Sequence, residues 1–352
     1  MLPLISLFDK RFGPACVLLY RRIPAQAYPV IYNYGIIDDY RITASEARVR
    51  AETPAGGPVV SLLDGVMELN PVRMFPGSTR QAWSAYRDML NPAGALVMPY
   101  GGFLVTTPSD TTVLVDAGGG PYFEVPDDIG QLTTSSQLPA SLHDQGLTPE
   151  SVDTVILTHL HVDHIGWVAP HGEPFFLNAQ IHCHAADWEY FIATPNPPDE
   201  RITAMLAGVA DRVTLWDAGF YLLGELTLRH RPGHTPGSSI VTLVDAGGPA
   251  ALIGDLVHSR AQFGEDWDFA ADVDPAMAAA TRRWFQSLCA ATCTAVWGNH
   301  FSALRPACWM RIVRLGPSRG NGAERSWPHS HTNNHFGRDT HIEGANNGPC
   351  LD

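Results

Sequence analysis

Nine short runs rich in β-branched and apolar residues, spread between positions 59 and 298, leave few architectures open to this chain. They are VVSLLDGVME (59–68), FLVTT (103–107), TTVLVD (111–116), DTVILT (153–158), AQIHCH (179–184), ELTLRH (225–230), SIVTLVD (239–245), AALIGD (250–255) and TCTAVWG (292–298). Helical patterns fall between them, over 79–90, 185–193, 201–210 and 274–291, where Asp274 suits an N-cap and Pro275 the first helical position. Nine strands are too many for one simple doubly wound sheet. Two batches of strands, each accompanied by helices, predict two sheets packed face to face under helical layers.

The chain has 352 residues, 45% hydrophobic and 17% charged, enough for a well-buried core in one large or two ordinary domains. A formal net charge of -13 argues against nucleic acid or anionic lipid as a partner, since both need clustered Lys and Arg. Lys10 is the only lysine, which removes Schiff-base chemistry deep in the fold. The six cysteines (Cys16, Cys183, Cys289, Cys293, Cys308 and Cys350) show no C-x-x-C pair and read as free thiols. Asp9, Lys10 and Arg11 interrupt LPLISLF before a signal-peptide core is complete, and no run approaches the roughly 18–20 apolar residues of a membrane span. The default expectation is a cytoplasmic protein with no membrane partner.

Three zones differ in texture. Residues 1–50 mix apolar runs with aromatic residues and proline, without a clean period, and read as an N-terminal extension or strap. Residues 316–352 are rich in Gly, Asn, His and Pro and read as a disordered tail. A single hydrolase-sized domain over 51–315 lies between them, with a helical cap at about 185–212.

The chemistry starts where the buried strand DTVILT ends. THLHVDHIGW (158–167) places three histidines and an aspartate within six positions, at a strand end where a loop is exposed yet rigidly held. On extended backbone His159 and His161 point the same way, while Asp163 and His164 fall in the following turn and can face a second centre. Imidazole suits Zn, Fe, Mn or Co, and the carboxylate hardens the second position. Further ligand types follow strands elsewhere: His234 in RPGHTPGS, Asp255 in AALIGD and His300 in GNHF.

H-x-H-x-D-H, PGHTPGS, GD and a terminal histidine, in this order and with Asp116 in LVDAGGG, resemble the metallo-β-lactamase superfamily over about residues 55–314. The resemblance implies an α/β (α+β) fold, a four-layer αββα sandwich of two mixed sheets flanked by helices, with two divalent metal ions, zinc first and Fe, Mn or Co as options. It implies His159, His161 and His234 on one metal, Asp163, His164 and His300 on the other, and Asp255 bridging them. Flavodiiron relatives usually carry glutamate where this chain has His161, so hydrolysis is expected rather than electron transfer. FLNAQIHCHAADWEYF, GDLVHSRAQF and a D-P-x-x-A helix before GNHF resemble, more closely, the methyl parathion hydrolase group and its lactonase and esterase relatives.

The expected reaction is cleavage of a carboxylic ester or lactone by a metal-bridging hydroxide oriented by Asp163 and Asp255, on a small-molecule substrate. The alternatives are a phosphotriesterase, less favourably a β-lactamase or thioesterase, and a non-catalytic metal-binding protein that keeps the fold. A homodimer is left open. His258 stands three residues after Asp255, where related lactonases place a substrate-contacting tyrosine; it is read either as an acid for the leaving group or as support for a ligand. Trp167 and Phe263 adjoin the motifs and are expected in the substrate pocket. His182, Cys183 and His184 read as structural, the tail histidines (His329, His331, His335 and His341) as solvated, and GPSRG (316–320) as a chance match to a serine-hydrolase motif.

Overall fold

Residues 113–115 face two different cores in turn. Val113 and Val115 point into one apolar layer and Leu114 into another, as the two-residue period of a strand requires. The computed structural model describes residues 59–245, 248–292, 294–301 and 307–308; the strap expected at 1–50 and the tail at 316–352 lie outside the described residues. Its first sheet contains β1 (Val59–Leu69), β2 (Leu96–Thr106), β3 (Thr112–Val115), β4 (Gly130–Thr134), β5 (Thr154–Ile156), β6 (Gln180–His184) and β7 (Val213–Trp216), in the order β4-β1-β2-β3-β5-β6-β7. The second contains β8 (Phe220–Leu223), β9 (Leu226–His230), β10 (Ser239–Asp245), β11 (Gly248–Leu252), β12 (Ala295–Trp297) and β13 (Ala307–Cys308), in the order β13-β12-β11-β10-β9-β8.

The layer between the sheets is apolar. Phe103, Val105, Val113, Val115 and Ile156 of the first sheet meet Leu226, Leu228, Val241, Ala250 and Leu252 of the second. The opposite face of the first sheet (Leu104, Leu114, Val155, Ile181) is covered by Leu138 and Leu142 of one helix, Ile165 of a second and Ile202 and Leu206 of a third. Ile240, Ala251, Ile253 and Val296 on the outer face of the second sheet pack on Phe285 and Cys289 of the helix Pro275–Thr292. Helices, sheet, sheet and helices make the four-layer αββα sandwich that the motif order implies. The last helix starts as its sequence requires, with the Asp274 carboxylate accepting from the Met277 amide at 2.9 Å just before Pro275.

Strand direction is what builds a site. β3, β5 and β6 run parallel, as do β11 and β12, and β9 lies two antiparallel steps from β11 and so points the same way. The segments leaving β3, β5, β9, β11 and β12 carry Asp116, His159, His234, Asp255 and His300. Among the described residues no helix is long and apolar enough to cross a membrane.

Candidate metal centre

The structure brings the motif residues together in one buried cluster. His159, His161 and His234 have donor atoms within 4.8 Å of one another, and so do Asp163, His164, Asp255 and His300. Asp255 stands between the groups: its Oδ2 is 3.5 Å from His234 Nε2, 3.8 Å from His159 Nε2 and 3.1 Å from His300 Nε2. Its other oxygen lies 3.2 Å from His164 Nε2. Gly254 makes this placement possible. Its φ is +50°, and a Cβ there would sit 2.5 Å from Thr158 Oγ1 at the end of β5.

Hydrogen bonds on the far side of each ring fix where the protons are. His164 Nδ1 is 2.9 Å from Asp116 Oδ2, His234 Nδ1 is 2.9 Å from Asp272 Oδ1, and His300 Nδ1 is 2.9 Å from the Pro99 carbonyl. Each partner can only accept, so each Nδ1 carries hydrogen. His159 Nδ1 faces Thr158 Oγ1 at 3.1 Å, and that hydroxyl already donates to Asp116 Oδ2 at 2.8 Å, so it accepts from His159. In their neutral forms four imidazoles therefore turn Nε2 lone pairs inward, those of His164 and His300 onto Asp255 and those of His159 and His234 onto both Asp255 and His161 Nδ1, the latter at 3.2 and 2.9 Å. Lone pairs facing carboxylate oxygens at 3.1–3.8 Å repel unless a cation lies among them. His164 Nε2 and Asp255 Oδ1 are both buried and lack a hydrogen-bond partner. This donor set fits divalent metal.

The electrostatics agree. Burial and neighbouring histidines hold His159 and His161 well below the usual imidazole range. Burial opposes protonation of His164 too, but Asp255, Asp116 and Asp163 outweigh it and hold that ring well above its ordinary value. The second group therefore attracts positive charge, while the trihistidine group presents neutral nitrogen.

His258 differs from the other rings. It is fully buried, stacked on Phe269 with centroids 3.5 Å apart, and its Nδ1 has no partner. Its Nε2 lies 3.1 Å from Asp255 Oδ2. The proton then belongs on Nε2, where the carboxylate accepts it, since an Nδ1–H would be stranded in the interior.

Other expected residues lie elsewhere. Trp167, expected in the pocket, is only 8% exposed; its Nε1 donates to Asp64 Oδ1 at 2.9 Å and its ring packs on Phe175. An indole needs such a partner when buried, and that requirement places it in the core rather than at a substrate surface. Phe263 is half-buried against the apolar cluster under the helix Pro275–Thr292, which packs on the outer face of the second sheet. His182 and His184 are buried outside the metal groups; His184 stacks on His230 at 3.8 Å and accepts from the Ala186 amide. Ala186, Tyr190, Pro198 and Pro236 line an open groove of about 520 Å³.

Several supporting residues carry no motif of their own. Asp64 sits at a register shift in β1, where a bulge re-aims its side chain, and accepts from the amides of Gly119, Gly120 and Leu138 besides Trp167. Asp272 holds His234 and is itself held by Arg282 Nη1 at 3.1 Å and the Phe269 amide at 3.2 Å. Asn299 donates to Asp116 and to the Gly101 carbonyl. Asp187, fully buried, joins two ligand loops; burial pushes its pKa up to about 6 even though the Gly237 amide, Thr235 hydroxyl and Leu160 amide favour the charged form. A buried acid in a helix's first turn, as in HAADWEYF, was the only sequence signal for it.

Comparison with known proteins gives a consistent result. The model of the metallo-beta-lactamase superfamily matches residues 102–288, more than half of the chain. An N-acyl homoserine lactonase from a Bacillus species is 25% identical over 200 residues, covering 53% of this chain and 75% of the relative. Among solved structures, AidC, a dizinc quorum-quenching lactonase in complex with a homoserine product, superposes with a TM-score of 0.62 at 22% identity, over 71% of this chain and 89% of that one. The hydrolase AbOPH of the beta lactamase superfamily gives 0.63 at 23% identity over the same shares, 71% and 89%. At these identities the two structures establish shared fold.

Proposed function

The chain belongs to the metallo-beta-lactamase superfamily, and on that premise we propose that it is a dinuclear metal-dependent hydrolase that opens lactones and carboxylic esters, with N-acyl homoserine lactones as the leading class. The observation that carries this reading is the convergence of four Nε2 atoms on Asp255, each ring oriented by an acceptor on its other nitrogen. His159, His161 and His234 would hold one ion, Asp163, His164 and His300 the other, and Asp255 both. Two divalent ions, zinc in this reading, supply acidified water and Lewis acidity toward the carbonyl oxygen. We read 51–315 as the hydrolase domain.

The remaining steps belong to the chain's own groups. Asp163, with 15% of its side chain exposed against 4% for Asp255, is the carboxylate open enough to take the proton of attacking water and return it to the leaving alkoxide. His258, sealed beneath Phe269, supports Asp255 instead of meeting substrate. Phe191 of the helix Ala185–Phe191 lays its ring edge-on to His161 at 5.7 Å, so the helical cap borders the trihistidine group. The groove over that helix is where we place the acyl portion of the substrate.

The test is a panel of acyl lactones, p-nitrophenyl esters, a phosphotriester and a cephalosporin on metal-reconstituted protein. Lactones should give the highest kcat/KM. A phosphotriester turned over faster than every lactone would replace the substrate class, and no turnover of any of them would overturn the hydrolase reading.

A further inference from the structure

Asp187 lies in the first turn of the helix Ala185–Phe191, outside all the metal-binding motifs, and is fully buried. One carboxylate oxygen accepts from the Leu160 amide at 3.1 Å and from the Thr235 hydroxyl at 2.9 Å; the other accepts from the Gly237 amide at 2.5 Å. Leu160 stands between His159 and His161, and Thr235 follows His234. Three donors from two separate loops, which between them carry all three histidines of one group, thus end on one side chain. A second observation comes from Gly237. A Cβ there would fall 2.6 Å from the Asp187 amide nitrogen and 2.8 Å from its Cβ, so the loop approaches the helix as closely as it does only because residue 237 has no side chain. The helix is held in turn by His184, whose Nδ1 accepts from the Ala186 amide at its start.

We propose that Asp187 is a positioning residue that sets the trihistidine group, tying both of its loops to one rigid point on the cap helix while leaving the Asp163, His164 and His300 group to other supports. The proposal rests on the reading that the cluster binds metal. The second group hangs on different anchors: His164 on Asp116 and His300 on the Pro99 carbonyl. Loss of Asp187 should therefore separate the two sites. Charge-assisted hydrogen bonds of this kind are the strong ones, and supporting partners of metal-binding histidines typically change metal affinity by about 10- to 100-fold.

The experiment uses the full chain, stripped of metal, as wild type, Asp187→Asn and Gly237→Ala. Asp187→Asn keeps shape but puts an NH₂ group among N–H donors; Gly237→Ala keeps the carboxylate and forces the loop away. Amide hydrogen exchange reads the clamp without any metal: protection at Leu160 and Gly237 should fall at least about 10-fold in Asp187→Asn, with the Ala117 and Trp167 amides unchanged. Stepwise zinc titration should then show one site weakened about 10-fold or more in both variants and the other changed less than about 3-fold. Equal weakening of both sites, tracking the loss in melting temperature, would reduce Asp187 to a general structural residue and overturn the proposal, as would unchanged affinity at both. Wild-type protein that takes up no zinc would overturn the metal reading itself, and the exchange result would show separately whether the clamp exists.

Discussion

Proton placement decides what each residue of the cluster can do. In their neutral forms four rings give their hydrogen outward and keep a lone pair inward, whereas neutral His258 turns its hydrogen toward Asp255. His258→Phe should therefore lower metal affinity by about 10- to 100-fold, and excess metal should restore turnover of alkyl and p-nitrophenyl esters alike. A kcat loss at saturating metal confined to the alkyl esters would instead make His258 the leaving-group acid. Asp187 yields a pH prediction. Its folded pKa of about 6 lies above the usual aspartate value of 3.8, so the native state holds more proton than the unfolded chain between those values. Stability from this group is lost as pH rises from about 4 to 6. Asp187→Asn lacks that dependence, so in metal-free protein its melting temperature relative to wild type should climb between pH 4 and pH 6.5. A constant offset would show that the carboxylate is not perturbed. The motif histidines were legible because ligand chemistry fixes residue type and spacing. Asp64, Asp187 and Asp272 were not, because a carboxylate that holds a loop is identified by backbone amides that only the fold brings to it.

At the scale of strands and helices, legibility followed burial. The central strands β3, β5 and β10 were foreseen to within two residues at each end, since strands covered on both faces read as apolar runs. The edge strands β4, β7 and β8 were missed. β4 has no fully buried residue, Leu215 in β7 is 44% exposed and Phe220 in β8 is 55% exposed, so the apolar alternation is broken. The first half of β2 was missed because Pro99, Gly101 and Gly102 interrupt its β-branched and apolar pattern. Pro99 is tolerated because β3 pairs only with Phe103–Thr106, so no ladder bond is lost on that side, and the free Pro99 carbonyl receives His300. The helix Pro275–Thr292 matters through Phe285, which is fully buried on the second sheet. Phe285→Ala should cost about 3–5 kcal/mol in denaturant unfolding while leaving two metals bound in the protein that remains folded. A cost below about 1 kcal/mol would mean that the outer layer contributes little to the sandwich. Tyr190→Ala should raise KM for long-chain acyl lactones more than for short ones with kcat intact. Equal effects on both would remove the acyl chain from the groove.

For the whole molecule, two sheets bring five strand ends to one edge, and the site exists only because both sheets contribute to it. Asp116, His159 and His164 come from the first, His234, Asp255 and His300 from the second, and Asp255 faces ligands from each. In the proposed reading this shared edge holds two metal ions and hydrolysis needs them. Elemental analysis paired with lactone hydrolysis on the same preparation, before chelation, after it and after zinc is returned, measures both at once. Two ions per chain, loss of turnover on their removal and recovery on their return are expected. Undiminished turnover by protein verified to be free of metal would rule out metal-dependent hydrolysis at this edge.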